Sequence, residues 1–267
     1  HTFFDYVSDQ VTTYRYDSAG RLCEYYVNSA SDDGKQSFLD YAYDEDGRVV
    51  SQYYRQDYAY SGGYETALIT TGYTYDDNDG SLKTESISLN TYQLNTGYTY
   101  DNLGRLVSKS QNLIHSSTAA TKGVTYTYTY DDNGNILSVS DGTNTTSYSY
   151  DSANQLIQET KQNTVNSQDQ YIHTWEYDNA GNILNRKEYS YTTDEPENST
   201  PTRTVIYGYP TVTNAENNTV WGDLLTSFDG KAIVYDAIGN PTSIGVTENG
   251  GGRTYTWEHG RQLKQMS

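Results

Sequence analysis

The sequence predicts an all-β protein of tandem β-hairpins that form a curved, spiralling antiparallel sheet. Three observations carry that prediction. A Tyr-x-Tyr-Asp signature recurs along the whole chain, followed closely by Gly, then a basic or amide residue, then an aliphatic one. The residue between the two aromatic positions is mostly polar, so each copy reads as a strand with one aromatic face and one wet face. No stretch shows helical periodicity with caps.

The copies run in order. Tyr14, Tyr16, Asp17 and Gly20 make the first; Tyr41, Tyr43, Asp44 and Gly47 the second; Tyr73, Tyr75, Asp76 and Gly80 the third. Tyr98, Tyr100, Asp101 and Gly104 follow, then Tyr128, Tyr130, Asp131 and Gly134. In the sixth copy Tyr148, Tyr150 and Asp151 are followed by Asn154 in place of Gly, and in the seventh Trp175 replaces the first Tyr before Tyr177, Asp178 and Gly181. The eighth keeps Tyr235, Asp236 and Gly239, and Trp257-Glu258 marks a ninth. One interval, between Asp178 and Asp236, is about twice the others and places a degenerate unit near Val205-Ile206-Tyr207-Gly208-Tyr209. Self-similarity of this kind means one supersecondary unit packed on copies of itself. Residues 1–267 therefore read as a single repeat array, a fragment of a longer protein.

The Asp-x-x-Gly step dictates the turn. Asp suits the first position of a type I turn because its carboxylate accepts the turn's N–H groups. Gly supplies the left-handed residue of a three-residue hairpin loop with a bulge. That geometry places Asp101 opposite Arg105 and Tyr100 opposite Leu106, pairs worth roughly 0.2–1 kcal/mol each. Asn154 fits the same model as the next most tolerant residue for a positive φ. Asp76-Asp77-Asn78-Asp79-Gly80 carries one extra residue and should make a longer loop; Trp257-Glu258-His259-Gly260-Arg261 is one shorter and reads as a two-residue turn. Exposed loops are expected over 195–201, with Pro196 and Pro201, and over 111–122; the cluster Asn249-Gly250-Gly251-Gly252 reads as a hairpin tip.

Composition bounds the function. Val, Leu, Ile and Phe together fall below about 20% of the chain, which with high net charge usually signals disorder. The 30 Tyr argue otherwise, because aromatics are scarce in disordered chains. A formal net charge of −18 opposes nucleic acid and anionic membrane surfaces, which ask for clustered Lys and Arg. It suits solubility, neutral glycans or cations. Cys23 is the single cysteine and excludes an internal disulfide framework. No apolar run is long enough to span a bilayer as a helix.

With those repeats the chain resembles the YD-repeat family, also called the RHS family, of bacterial secreted and surface polymorphic toxins and animal teneurins. The stretches Trp221–Gly230, Ile233–Pro241 and Tyr255–Leu263 are similar to a recurring module of bacterial members. The resemblance implies a sheet of hairpins spiralling into a hollow shell, which in toxin members encloses an effector domain. It implies a non-catalytic, structural, extracellular role, with other repeat units, flanking parts of the same polypeptide and an enclosed effector as partners.

The residues offer little for catalysis. His1, His115, His173 and His259 show no metal-ligand spacing and are expected at the surface or in turns. Cys23 is expected as a small packing residue. The acidic stretch 76–80 has the composition of a calcium loop without its spacing or closing Glu, so no metal and no cofactor is expected. Exposed Tyr and Trp could stack on sugars in a carbohydrate-binding or adhesion module; Tyr54, Tyr58, Tyr60 and Tyr64, off the motif register, are the surface candidates. A hydrolase would need two carboxylates facing one another across a cleft.

Overall fold

The computed structural model describes residues 2–7, 10–29, 36–60, 63–116, 121–213, 219–246 and 251–267. Among them every strand pairing given is antiparallel, and the only helices are two single 3-10 turns, Ser167–Asp169 and Pro196–Asn198. The chain divides into two compact units, residues 1–129 with 140–142, and residues 130–139 with 143–267.

The first unit is a meander in which each strand pairs with the next. Its strands are β1 (Thr2–Val7), β2 (Gln10–Tyr16), β3 (Leu22–Ser29), β4 (Gln36–Tyr43), β5 (Val49–Tyr60), β6 (Gly63–Tyr75), β7 (Leu82–Leu89), β8 (Tyr92–Tyr100), β9 (Leu106–His115) and β10 (Thr121–Tyr130). In the second unit, β11 (Ile136–Ser140) precedes β12 (Asn144–Tyr150), β13 (Leu156–Asn163), β14 (Tyr171–Tyr177), β15 (Ile183–Ser190) and β16 (Arg203–Gly208). A side hairpin, β17 (Thr211–Thr213) with β18 (Thr219–Trp221), interrupts the order. The meander then resumes through β19 (Ser227–Phe228), which pairs with β16, and continues as β20 (Lys231–Tyr235), β21 (Pro241–Ile244), β22 (Arg253–Glu258) and β23 (Gln262–Met266).

Alternation along the strands builds two faces. The nine residues between the motif aromatics, from Arg15 through Thr99 to Thr256, are all exposed. The rings on either side are half-buried, with only Tyr16 slightly more open. Half-burying a ring removes about 100 Å² from water, roughly 2.5 kcal/mol at the usual area coefficient. Among the described residues the buried hydrophobic side chains are few: Ile172 and Val205, with Tyr189 nearly covered. Stability is therefore spread over many half-covered rings.

The wet face is not wet throughout. In the first unit Tyr26 stacks on Phe38 at 5.7 Å, and the Arg55 guanidinium lies 4.3 Å over the Phe38 ring. In the second unit Ile172 and Tyr189 face each other across β14 and β15 on that same face and are buried. The β15–β16 connection is the expected loop, exposed at Glu195 and over 198–200, but it lies beside Ile172 and buries Pro196 in a 3-10 turn.

The turns follow the sequence logic closely. Tyr100 pairs with Leu106, and the register shifts after Thr99, leaving Val107 as the bulge residue. Asn154 has φ 61° and stands in for Gly. The loop after Tyr75 is one residue longer, with Tyr75 opposite Leu82. The turn at Glu258 differs from expectation. Trp257 pairs with Leu263 and Glu258 with Gln262, so the loop has the ordinary length; Gly has moved one place earlier, and both His259 and Gly260 adopt positive φ. Residues 111–115 and 121–122 lie in β9 and β10 rather than in a loop, while 117–120 fall outside the described residues. Tyr54 sits on the aromatic face between Leu39 and Ile69, its hydroxyl donating to Gln56 Oε1. Tyr58, Tyr60 and Tyr64 belong to β5 and β6, but their side chains, like His1, Asn249 and Gly250, lie outside the described set.

Gly104 separates backbone from packing effects, because its φ is 77° and an added Cβ would meet nothing within 4 Å. Gly104→Ala is expected to cost about 1 kcal/mol from left-handed backbone strain alone, and Gly104→Asn clearly less; urea denaturation of the two variants measures the difference.

Candidate functional site

The motif residues converge on the turns. Asp101 Oδ1 accepts the N–H groups of Leu103 and Arg105, each at 2.9 Å, and Oδ2 accepts Arg105 Nε at 2.7 Å. Its own N–H donates to Arg105 O, and Gly104 N–H donates back to Asp101 O. The same closure recurs at Asp17 with Arg21 and at Asp44 with Arg48. At Asp131, Asp178 and Asp236 the side-chain amides of Asn135, Asn182 and Asn240 replace the guanidinium. Asp151 keeps the backbone bonds to Ala153 and Gln155.

These bonds hold the carboxyls of Asp17, Asp44, Asp101, Asp131, Asp178 and Asp236 below their ordinary range. For Asp101 the Arg105 N–H contributes most and its guanidinium next; for Asp236 the Asn240 N–H leads. For Asp131 and Asp178 the neighbouring Asn side-chain amide leads.

Adjacent hairpins are joined by the second aromatic of the motif. Tyr43 OH donates to Leu22 O at 2.7 Å, Tyr75 OH to Val49 O at 2.8 Å and Tyr100 OH to Leu82 O at 3.1 Å. In the second unit Tyr150 donates to Ile136 O, Tyr177 to Leu156 O and Tyr235 to Leu225 O. Where Trp257 replaces Tyr, its indole Nε1–H reaches Pro241 O at 2.7 Å. Most of these acceptors belong to the aliphatic residue that closes the preceding turn. Arg21 strengthens the link by lying 4.5 Å over the Tyr43 ring, and Arg48 does the same at 4.7 Å over Tyr75. Tyr209 stands in the degenerate unit. Burial raises its pKa, and the next cause is the charge of Asp178, the same relation that Tyr150 has to Asp131 and Tyr177 to Asp151.

Two open clefts, of about 520 and 590 Å³, separate neighbouring turns. Asp76 and Asp101 line the first, Asp151 and Asp178 the second. These carboxylates accept hydrogen bonds within their own turns, an arrangement that suits a structural role better than acid–base work. Among the described residues no three His, Cys, Asp or Glu side chains are grouped to hold a metal ion.

One polar cluster lies away from the turns, on the aromatic face of the second unit. Tyr171 stacks on His173 at 4.3 Å, and Trp175 meets the imidazole edge-on at 6.1 Å. Glu159 Oε1 accepts from Tyr171 OH at 2.9 Å and lies 3.6 Å from His173 Nδ1. From the other side Glu188 binds Arg186 and lies 3.7 Å from Arg203, which in turn binds Asp229. Arg186 Nε is buried without a hydrogen-bond partner. Burial, then the Glu159 hydrogen bond, pushes the Tyr171 phenol up to about 12, so it acts as a donor. Burial, then the charge of Arg186, lowers the His173 pKa, against the pull of Glu159 and Glu188. Sequence reasoning placed His173 at the surface; extending the alternation of Trp175 and Tyr177 back along β14 would have put it on the aromatic face. Of the others, His259 is an exposed turn residue, while His115 packs on Tyr92 at 4.5 Å. Cys23 is the bulge residue beside Arg15, with Sγ 3.4 Å from Arg15 O.

The family model for the RHS repeat matches residues 130–164. That stretch carries the RHS repeat. The matched copy spans the Asp131 turn, β11, β12, the Asp151 turn and β13. No curated protein matches the chain. Among solved structures the chain is similar to the TcdB2-TccC3-TEV crystal structure at 16% identity and TM-score 0.40, covering 92% of this chain and 15% of the other. The Photorhabdus luminescens Tc holotoxin pore gives 14% identity and TM-score 0.39, over 94% and 18% of the two chains. A porin-like protein from Bacteroides uniformis gives 11% identity and TM-score 0.29, over 97% and 91%. The chain thus spans less than a fifth of the Tc-toxin chains it matches. Among its described residues no helix is long and apolar enough to cross a membrane.

Two predictions follow from the charges and the phenols. A depressed carboxyl pKa gives stability that is present above the unfolded value near 3.9 and lost as pH falls below it; a depressed imidazole pKa likewise loses stability as pH falls below about 6.5. Thermal melts should therefore show a shallow decline beginning near pH 6.5 and a steep one below about pH 4. His173→Phe should remove only the upper step. Tyr177→Phe, which deletes one inter-hairpin bond and little area, should cost about 1 kcal/mol in urea denaturation with an unchanged slope.

Proposed function

We propose that this chain is a non-catalytic structural segment of a bacterial secreted or cell-surface protein, forming part of the wall of a β-shell that encloses an effector. The observation that carries this reading is the repeated bond from a motif phenol to the carbonyl of the preceding hairpin. A bond made at that step copy after copy ties each hairpin to the one before it, which is what a wall requires and a catalytic cleft does not. The match to the RHS repeat supports the same reading. The proposal treats residues 1–267 as one array, with the motif residues as its structural elements and neighbouring repeats and an enclosed effector as its partners. A glycan-binding or adhesion role for the Tyr-rich wall has less support, because many of its hydroxyls are already committed within the array.

Small-angle scattering after size-exclusion chromatography tests the wall. A monomer with a strongly curved, sheet-like envelope is the expected result. A compact globule, or a discrete dimer joined through sheet edges, would overturn it.

A further inference from the structure

The β15–β16 connection does more than cover Ile172. With the polar face of β13 it borders an open cleft of about 270 Å³. Gln158, Thr160 and Gln162 alternate along β13 and so form one wall. Ile172, 2% exposed, forms the floor. Tyr191, Thr192, Thr193, Asp194, Glu195 and Pro196 complete the rim.

Internal bonds fix much of this lining. Gln158 Nε2 donates to Thr160 Oγ1 at 3.1 Å, and Gln162 Nε2 donates to the Tyr191 hydroxyl at 2.6 Å. Asp194 N–H donates to Thr192 Oγ1. Pro196, buried at the first position of a 3-10 turn, restricts the backbone of the cover. The amide oxygens of Gln158 and Gln162 remain without protein partners among the described residues, and the exposed Asp194 and Glu195 carboxylates stand at the mouth. Neither Lys nor Arg lines the cleft.

We propose that this cleft binds a neutral polyhydroxylated ligand, one sugar residue in size. Amides, hydroxyls and carboxylates together offer both donors and acceptors, which is what a ring of hydroxyl groups demands. Hydroxyls donating to Asp194 or Glu195 gain the strength of a charged acceptor. The half-buried Tyr191 ring offers apolar surface to the C–H face of a sugar. An anion finds no cation here. The volume sits just below the usual range for small-molecule cavities, about 300–1,000 Å³, and so suits a single ring rather than a chain. The site is on the face opposite the Tyr-rich wall and stands independently of the shell.

Saturation-transfer NMR on the whole chain tests it, with D-glucose, D-galactose and N-acetylglucosamine supplied separately at millimolar concentration. Transfer to the ring protons of at least one sugar is expected. Asp194→Asn should weaken that binding roughly tenfold, the loss of one hydrogen bond to a charged group, and Gln158→Leu should abolish it, both with an unchanged thermal midpoint. Thr193→Val at the exposed rim serves if Gln158→Leu fails to fold, and should also weaken binding. No transfer from any of the three sugars, or transfer of equal strength in the variants, would overturn the proposal.

Discussion

In a sheet whose rings are half-covered and whose fully buried side chains are few, the question is what holds one hairpin to the next. Strand pairing supplies backbone bonds, and the two unlike faces forbid a one-residue slip but leave the choice among two-residue steps open. The phenol-to-carbonyl bond supplies that choice. It links a ring fixed by its own turn to a carbonyl fixed by the turn before. Most of these turns are rigid because one Asp carboxylate accepts two N–H groups and a side-chain donor. Loosening the carboxylate would loosen the ring, and with it the neighbouring hairpin.

This dependence explains why the motif tolerates change at some places and not others. Arg, Asn and Gln all serve after the Gly, because each presents a backbone N–H to the Asp, and Arg and Asn add a side-chain donor. Trp257 serves in place of Tyr because an indole N–H reaches the same kind of acceptor. Asn154 serves for Gly because the requirement there is a backbone angle, not a contact.

What the sequence made legible was local. The turn, its longer variant at Asp76 and the Asn154 substitution all follow from residues within a few positions of one another. The turn at His259 misled because Gly marked loop length in the other copies, whereas here a second left-handed residue preserves the length. Far from the turns the motif falls silent. Nothing near Tyr54 announces strands as long as β5 and β6, with 12 and 13 residues, and nothing near Gln111 announces that β9 and β10 run to 10 residues each. The His173 cluster, the row of Tyr26, Phe38 and Arg55, and the Gln158 cleft all depend on partners from other strands or from a connection folded back over the sheet, and no short-range pattern encodes those.

The inter-hairpin bond has a direction. In each copy described, the donor is the later residue and the acceptor the earlier one. A ribosome releases the earlier hairpin first, so when each new phenol emerges its carbonyl already stands in a formed turn. The array is therefore suited to growing one hairpin at a time from its N-terminal end, each addition templated by the last. Its two ends are also chemically unlike: the leading end offers a carbonyl that water satisfies readily, while a cut on the other side leaves a ring without its anchor.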